Sequence, residues 1–294
     1  DAPVAKVSTG TGVEDTTSTG QLQASDIDDK DVLSYIVKDA DKPAGFTVDA
    51  SGKWTLDASN AAYQHLAAGD TTTLNVPFTV TDKAGLTSTS TLTITVTGTN
   101  DAPVAAATTG LAVEDSTATG QLKATDIDDN DVLSYTVKDA DKPAGFSVDA
   151  SGNWTLDASN PAYQHLGAGQ TATLEVPFTA TDKAGLTSTS TLTITVTGTN
   201  DAPVATVSTG TGTEDATTTG QLQATDIDDK DVLSYTVNDA DKPAGFTVDA
   251  SGKWTLDASN PAYQHLGAGD TTTLNVPFTV TDKAGLTSTS TLTV

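Results

Sequence analysis

The sequence predicts an all-β protein made of tandem antiparallel β-sandwiches, about seven strands in each, arranged end to end as a rod. Three observations predict this. The segment Asp-Ala-Pro-Val-Ala begins at Asp1, Asp101 and Asp201, so the chain repeats with a period of 100 residues. Within each repeat, apolar and polar residues alternate over short runs rich in Thr and Val. Clusters of Gly, Asp and Asn separate these runs, as turns separate strands.

The strands of the first repeat follow from this alternation, because successive side chains of a strand point to opposite faces of a sheet. Turn residues support the assignment. Asp49 to Gly52 is predicted as a turn, and Asn160 to Gly167 as one helical turn with Asn as its N-cap. The predicted strand segments are Val4 to Val7, residues 20–24, Leu33 to Val37, Phe46 to Val48, Trp54 to Leu56, Leu74 to Val80 and Leu92 to Val96.

Each repeat is expected to fold as one domain, with boundaries at 1–100, 101–200 and 201–294. The linkers at 97–104 and 197–204 contain no Gly/Ser-rich tether, so successive domains should abut. Strands of about ten residues at about 3.3 Å each imply roughly 35 to 45 Å per repeat. The third repeat stops at Val294, in a segment that the first two repeats continue. We therefore expect it to be C-terminally truncated and the sequence to be part of a longer chain.

Composition excludes several classes of protein and of site. The chain has 39 acidic and 14 basic residues, a formal net charge of −25 and no cysteine. Without cysteine there is no disulfide and no thiolate metal site, so a bound metal must be a hard cation held by oxygen. The negative charge repels phosphate and anionic lipid, so we expect no nucleic-acid partner and no direct membrane contact. No apolar run has the length of a transmembrane helix.

The sequence offers little for catalysis, and we expect no enzyme. Each repeat has one histidine, interpreted as a packing or loop residue: His65, His165 and His265. The serines at 87–93 belong to a Thr/Ser alternation, without the motif of a nucleophilic serine. Each repeat also has one tryptophan on an alternating strand, which predicts a core position rather than a sugar-stacking platform: Trp54, Trp154 and Trp254.

The acidic residues are clustered rather than spread. Like charges this close disfavour one another unless they are solvated or share a cation, and Ca²⁺ favours carboxylate, amide and backbone oxygens. Residues 26–31 do not form an EF-hand loop, because they lack its Gly and Glu. A solvated turn is the interpretation adopted for Asp15, Asp29, Asp31, Asp39 and Asp41. The other clustered positions in the first repeat and at its boundary with the second are Glu14, Asp26, Asp28, Asp82, Asn100 and Asp101.

The order of these motifs gives a resemblance to a known family. Val13-Glu14-Asp15, Asp26-x-Asp28, Asp82-x-x-Gly85 and Thr99-Asn100-Asp101-Ala102-Pro103 follow one another as in a cadherin-type repeat. The chain resembles still more closely the VCBS-type, cadherin-like repeats that form the extender regions of large RTX-type, biofilm-associated bacterial surface adhesins. The resemblance covers all three repeats. It implies an Ig-like or cadherin-like sandwich, with Ca²⁺ bound where successive repeats meet.

The resemblance also implies the metal ligands. At the first junction they are Glu14, Asn100, Asp101, Asp126, Asp128 and Asp182. At the second they are Glu114, Asn200, Asp201, Asp226, Asp228 and Asp282. An incomplete N-terminal site would use Asp1, Asp26, Asp28 and Asp82, and Glu214 would likewise face an incomplete site.

Two departures from the family pattern imply fewer ions or weaker binding, nearer the millimolar range of extracellular modules. Gly98 stands where the family has a further Asp. Asp70 becomes Gln170 in the second repeat, so Asp70 and Asp270 are poor ligand candidates.

The resulting hypothesis is a Ca²⁺-rigidified stalk of a secreted adhesin at the bacterial cell surface. Its partners would be neighbouring repeats of the same monomeric chain, with a polysaccharide or host surface contacted only by regions outside this segment. One alternative is a sandwich that itself binds a polysaccharide or a host ligand. Another is an acidic surface adapted to salt, without a specific ion.

Overall fold

The computed structural model describes residues 1–28 and 31–294, so the prediction made for Asp29 lies outside the described residues. It confirms the predicted fold class: cadherin-like β-sandwiches follow one another in a rod. The strands of the first repeat are β1 Val4–Lys6, β2 Ser8–Val13, β3 Thr17–Gln21, β4 Gln23–Ser25, β5 Ser34–Ile36, β6 Phe46–Val48, β7 Lys53–Asp57, β8 Thr71–Thr81 and β9 Thr87–Thr97.

The second and third repeats reproduce this order, and each repeat has one short 3₁₀ helix, at Asp39–Asp41, Asp139–Asp141 and Asp239–Asp241. The second repeat contains β10 Val104–Ala106, β11 Thr108–Val113, β12 Thr117–Gln121, β13 Lys123–Thr125, β14 Ser134–Thr136, β15 Phe146–Val148, β16 Asn153–Asp157, β17 Thr171–Thr181 and β18 Thr187–Thr197. The third contains β19 Val204–Thr206, β20 Ser208–Thr209, β21 Thr217–Gln221, β22 Gln223–Thr225, β23 Ser234–Thr236, β24 Phe246–Val248, β25 Lys253–Asp257, β26 Asn275–Thr281 and β27 Thr287–Thr293.

Each sandwich has one four-stranded and one three-stranded sheet. In the first repeat the strand orders are β2-β9-β8-β5 and β3-β7-β6, while β1 and β4 form a separate antiparallel pair. All pairings are antiparallel except that of β2 with β9, which is parallel and runs from Ser8 opposite Leu92 to Val13 opposite Thr97. The first and last long strands of the repeat therefore lie side by side.

In the described residues, nine strands per repeat replace the predicted seven, because residues 20–24 belong to two strands and β2 lies beyond the predicted segment Val4 to Val7. Val7, 75 % exposed, separates β1 from β2, and the chain passes there from the β4 pair to the edge of the larger sheet. Leu22 separates β3 from β4; its side chain is buried, and its N–H bonds to the Gly52 carbonyl rather than to a ladder partner. A side-chain alternation alone does not reveal such changes of partner.

The core lies between the two sheets and consists of the predicted alternating residues. Trp54 and Leu56 are buried, and Trp54 stacks on Phe46 with ring centroids 6.3 Å apart. The tryptophans of the other repeats are buried in the same way. The predicted core position of tryptophan is thus confirmed, and none of the three rings is exposed as a sugar platform.

The predicted turns form with one correction. At the turn after β6, Gly52 has φ +83° and Asp49 Oδ1 accepts a hydrogen bond from the Ser51 N–H at 2.9 Å. Asn160 caps the next segment as predicted, since its Oδ1 accepts from the Ala162 N–H at 3.1 Å. However, residues 161–165 form successive turns and not a regular helix. The bonds run from Tyr163 to Asn160 and from Leu166 to Tyr163, without the continuous ladder that a helix requires.

The third repeat is less complete at its lower end, the end from which the first two repeats lead into a linker. Only Ser208–Thr209 of its second strand pairs with the last strand, and β26 begins at Asn275, whereas β8 begins at Thr71. A cavity of about 450 Å³ opens there, lined among others by Leu256 and Leu266. Segment 95–97, which covers the equivalent surface of the first repeat, has no counterpart after Val294.

Candidate metal centre

The fold brings the candidate ligands together at the ends of the repeats. Glu14 follows β2, at the lower end of the first sandwich, where β9 continues into the linker. Asp126 and Asp128 follow β13, and Asp182 follows β17, all at the upper end of the second sandwich. The lower end of one repeat, the linker and the upper end of the next repeat therefore contribute to one junction.

Glu14 is the contribution of the upstream repeat and is completely buried. Its Oε2 accepts a hydrogen bond from the Thr99 N–H at 2.8 Å, and its Oε1 accepts one from Gln64 Nε2 at 3.3 Å. Burial raises the pKa of Glu14, and the charges of Asp101 and other carboxylates raise it further, although the Thr99 N–H opposes this shift. Glu14 is thus held against the linker in a surrounding that disfavours its charge.

The linker residues are fastened to the downstream repeat. Asn100 Nδ2 donates to Asp182 Oδ2 at 2.8 Å and to the carbonyl oxygen of Asp101 at 2.7 Å. The Asp101 N–H donates to Asp128 Oδ2 at 3.0 Å. These bonds fix the linker side chains relative to the loop that carries Asp126 and Asp128.

Asp182 differs from its neighbours because its hydrogen bonds favour the charged form. Burial acts to raise its pKa, but donors from Asn100, Leu186 and Gly185 outweigh burial, so the pKa of Asp182 is lowered. The N–H groups of Gly185 and Leu186 lie 2.6 and 2.8 Å from Oδ1. Asp182 is therefore kept as a carboxylate at the junction.

The observation that bears on metal binding is a set of buried carboxylate oxygens without donors. Asp101 Oδ2, Asp126 Oδ2 and Asp128 Oδ1 are all buried, and none has a hydrogen-bond partner. Burial raises the pKa of Asp101 and of Asp128, and neighbouring carboxylates raise both further. Buried polar atoms are normally paired, and an unpaired buried charge is costly. A hard cation would satisfy these oxygens, so the residues fit the predicted ion.

The second junction repeats the arrangement. Glu114 is 2 % exposed and accepts from the Thr199 N–H at 2.8 Å. Asn200 Nδ2 donates to Asp282 Oδ2 at 2.8 Å. The same three oxygens are again buried without donors: Asp201 Oδ2, Asp226 Oδ2 and Asp228 Oδ1.

The acidic loop contains one further candidate that sequence reasoning missed. Carboxylate oxygens of Asp126, Asp128 and Asp131 lie within 4.8 Å of one another, and Asp231 lies equally close to Asp226 and Asp282. Asp31, Asp131 and Asp231 are half-buried, so they are further ligand candidates, and the interpretation of Asp31 as a solvated turn residue stays a prediction. The loop folds back at residue 130, which has φ +63° in the second repeat, and spacing along the chain does not disclose this reversal.

The other acidic residues that were considered are exposed, and one of them still affects the junction through its charge. Asp39 and Asp41 are exposed, as expected for a solvated turn. Asp15 is also exposed, with φ +60°, but its charge contributes to the raised pKa of Asp101 and therefore acts on the junction. Asp70 is exposed at the lower end of its repeat.

Gly98 has a packing reason to depart from the family pattern. A Cβ atom on Gly98 would lie 2.2 Å from the carbonyl oxygen of Leu66, so an aspartate does not fit there. This close approach removes one ligand position from the linker.

The N-terminal set is gathered in space, and the 294 residues contain no repeat upstream of it. Asp28 Oδ2 accepts a hydrogen bond from the terminal ammonium of Asp1, and its side chain is 51 % exposed. Asp26 Oδ2 and Asp82 Oδ2 are buried without donors. At the opposite end of the chain, Glu214 is half-buried at the rim of the third repeat's cavity.

Comparisons with known proteins identify the repeats. The family model described as a bacterial cadherin-like domain matches residues 1–98 and 100–198, and that described as a bacterial Ig domain matches residues 200–294. No curated protein sequence matches. Among the described residues, no helix is long and apolar enough to cross a membrane.

Solved structures agree on the fold. Mouse cadherin-23 EC22–24 is 17 % identical, with 100 % of this chain and 98 % of that chain covered and a TM-score of 0.64. Human CDH23 EC21–23 is 16 % identical, with 100 % of both chains covered and a TM-score of 0.64. These families are extracellular-type structural and adhesion modules rather than enzyme families. Since the cadherin-like model alone matches more than half of the residues, the chain belongs to the bacterial cadherin-like domain family.

Proposed function

We propose that the chain is a Ca²⁺-rigidified extender of a secreted adhesin on the bacterial cell surface, which projects a distal ligand-binding region for cell adhesion or biofilm formation. The observation that carries this proposal is the set of buried carboxylate oxygens without donors at both junctions. They come from the linker and the downstream repeat, while the buried Glu14 comes from the upstream repeat. A cation held by all three would join two sandwiches.

The residues at each junction have different roles: some would bind the ion, and others position the linker. When bound, Ca²⁺ supplies two positive charges and takes about six to eight oxygen ligands in a flexible geometry. At the first junction Asp101, Asp126 and Asp128 offer their free oxygens, and Asp131 adds a carboxylate beside them. Asn100 fixes the linker on the downstream repeat through Asp182. The second junction would use the equivalent residues.

The mechanical consequence follows from charge. Without a cation, the clustered carboxylates repel one another and disfavour the compact junction. With a cation, the folded state gains stability by mass action, about 2.7 kcal/mol when the free ion is at a hundred times its Kd. The extended, monomeric chain then acts as a stiff spacer outside the cell, where Ca²⁺ is plentiful.

Thermal unfolding of the full chain, after metal removal, tests the proposal. Millimolar Ca²⁺ should raise the melting temperature by about 10 °C, while Mg²⁺ or NaCl at matched ionic strength should not. Small-angle scattering should show a longer, stiffer particle with Ca²⁺. Curves that respond to molar NaCl but not to Ca²⁺ would replace the proposal with a general acidic spacer.

A matched pair of variants makes the test specific. Glu114→Gln removes a buried carboxylate from the second junction, whereas Glu214→Gln makes the same change where the 294 residues contain no following repeat. Only Glu114→Gln should reduce the Ca²⁺-dependent shift. Equal losses in both variants would count against binding at the junction.

A further inference from the structure

Each junction has a second point of attachment, which uses no candidate metal ligand of the upstream repeat. The turn that contains the histidine reaches across to the acidic loop of the next repeat. The carbonyl oxygen of His65 accepts a hydrogen bond from the Asp129 N–H at 2.9 Å, and that of His165 accepts one from the Asp229 N–H at 2.8 Å. We call this backbone bond the turn contact. Because it joins two neutral backbone groups, no cation takes part in the bond itself.

The second junction reinforces the turn contact and the first does not. Gln170 Nε2 donates a hydrogen bond to the carbonyl oxygen of Asp229 at 3.2 Å. The equivalent residue of the first repeat is Asp70, whose carboxylate only accepts hydrogen bonds and so makes no such bond to the Asp129 carbonyl. Gly167 is also buried against the loop, since a Cβ placed on it would lie 3.5 Å from Asp228 Cβ.

The charges near the turn contact differ in the same direction. Asp70 at the first junction is replaced by the neutral Gln170 at the second. Asn130, which follows Asp129, is replaced by Lys230, which follows Asp229. The second junction is therefore less negative by two charges, one from each replacement. Fewer uncompensated negative charges mean less repulsion when no cation is present, although salt screens the exposed ones.

We propose that the two junctions are mechanically unequal: the second keeps its orientation in the absence of metal, whereas the first depends on the cation for it. Residues 70/170 and 130/230 set this difference. The part that concerns the cation rests on the proposed function, but the part that concerns the metal-free chain does not. A rod built from both kinds of junction bends first at the junction between repeats one and two.

Distance measurements across each junction test the proposal on the full chain. The chain has no cysteine, so introduced cysteines are unique spin-label sites. Thr47→Cys with Ser147→Cys reports on the first junction, and Ser147→Cys with Thr247→Cys reports on the second, from equivalent exposed positions. In EDTA the distance distribution should be clearly broader at the first junction, and in Ca²⁺ both should be narrow.

Variants that exchange residues 70/170 and 130/230 between the junctions then test whether these residues cause the difference in width. Asp70→Gln with Asn130→Lys should narrow the metal-free first junction, and Gln170→Asp with Lys230→Asn should broaden the second. Hydrogen exchange at the Asp229 N–H should accelerate about two- to tenfold in the latter, as expected for loss of a surface hydrogen bond. Asp270→Gln, which faces no following repeat, is the control that should change neither distribution.

The possible outcomes separate this proposal from the previous one. Equal metal-free distributions at the two junctions, or exchanged variants that leave them unchanged, would overturn the inequality. Distributions that differ in EDTA but do not respond to Ca²⁺ would retain the metal-free inequality, while removing both the cation dependence and the proposed function.

Discussion

Within the 294 residues, the ends of repeats that meet a neighbour differ from the two outer ends, although their sequences are nearly the same. Asp128 at the first junction is buried, whereas Asp28 at the upper end of the first repeat is exposed. Glu114 is buried at the second junction, and Glu214 at the free lower end is only half-buried. The last strand, the linker and the neighbouring repeat, rather than the acidic motif alone, therefore create the buried surroundings of the candidate metal centre.

The largest expected effect is at the free lower end. Addition of Thr-Val-Thr-Gly-Thr-Asn after Val294 restores the segment that the first two repeats contain at this place. Burial of one valine is worth about 1.5 to 3 kcal/mol, so the lowest melting transition should rise by about 10 °C. A tail of Gly and Ser of the same length is the control for calorimetry. An equal rise with both tails would show that the cavity does not weaken the third repeat.

A ligand substitution compares the two upper ends directly. Asp128→Asn should weaken Ca²⁺ binding at one of the two junctions by about tenfold or more, because ligand charge sets the affinity of oxygen sites. Asp28→Asn makes the same change at the incomplete N-terminal set, where we expect less than about a twofold effect. Calorimetric titration of the metal-free chain measures both. Comparable losses would mean that an isolated acidic loop binds as well as a junction.

The pH dependence of the metal-free chain should reverse when Ca²⁺ is added. Burial raises the pKa of Glu14, Asp101 and Asp128, so the folded state binds more protons than the unfolded state at mildly acidic pH. Stability then increases as the pH falls from neutral through the raised pKa values of these groups, by a few degrees in melting temperature. With Ca²⁺ present, protons compete for the same oxygens and stability should decrease instead.

The increase in stability of the metal-free chain should end at a lower pH, because other carboxylates have lowered pKa values. The hydroxyl groups of Ser51 and Ser59 donate to Asp49 and Asp57 and lower the pKa of each. Stabilisation from these turns is present above the ordinary aspartate pKa and is lost as the pH falls through the lowered values. Melting curves recorded with and without Ca²⁺ between pH 3 and 8 check both signs. A metal-free melting temperature that falls steadily on acidification would contradict the description of the junction.

The smallest effect is expected from the linker amide. Asn100→Ala leaves Asp182 Oδ2 without its donor, the condition already present at Asp82 in the first repeat. The loss is about 1 kcal/mol, or a few degrees in the transition of the second repeat. Asn75→Ala, which removes an exposed hydrogen bond from the Thr93 hydroxyl at 3.2 Å, is the control in the same thermal measurement. No difference between the variants would mean that the linker is held by other bonds.

Much of the architecture was predictable from the sequence, because period, alternation and turn residues are local signals. The core positions of Trp54 and Leu56 follow from alternation alone. The second strand that begins after Val7 was not predicted, since it depends on which sheet the chain pairs with on each side of that residue.

Part of the candidate site was likewise predictable from the sequence, and part was not. The resemblance to cadherin-type repeats indicated Glu14 and Asp128, but the half-burial of Asp131 depends on a loop reversal and on the fold of the whole repeat. The turn contact from His65 joins residues of different repeats. No pattern within one repeat contains that information.

The parallel pairing of β2 with β9 determines how each repeat bears load. When the two ends of the chain are pulled apart, the ladder from Ser8 to Val13 is sheared along its length, so its bonds must break together rather than one at a time. The same ladder runs from Thr108 to Val113 in the second repeat. Under tension, each complete ladder of this kind would therefore act as a clamp that protects its repeat.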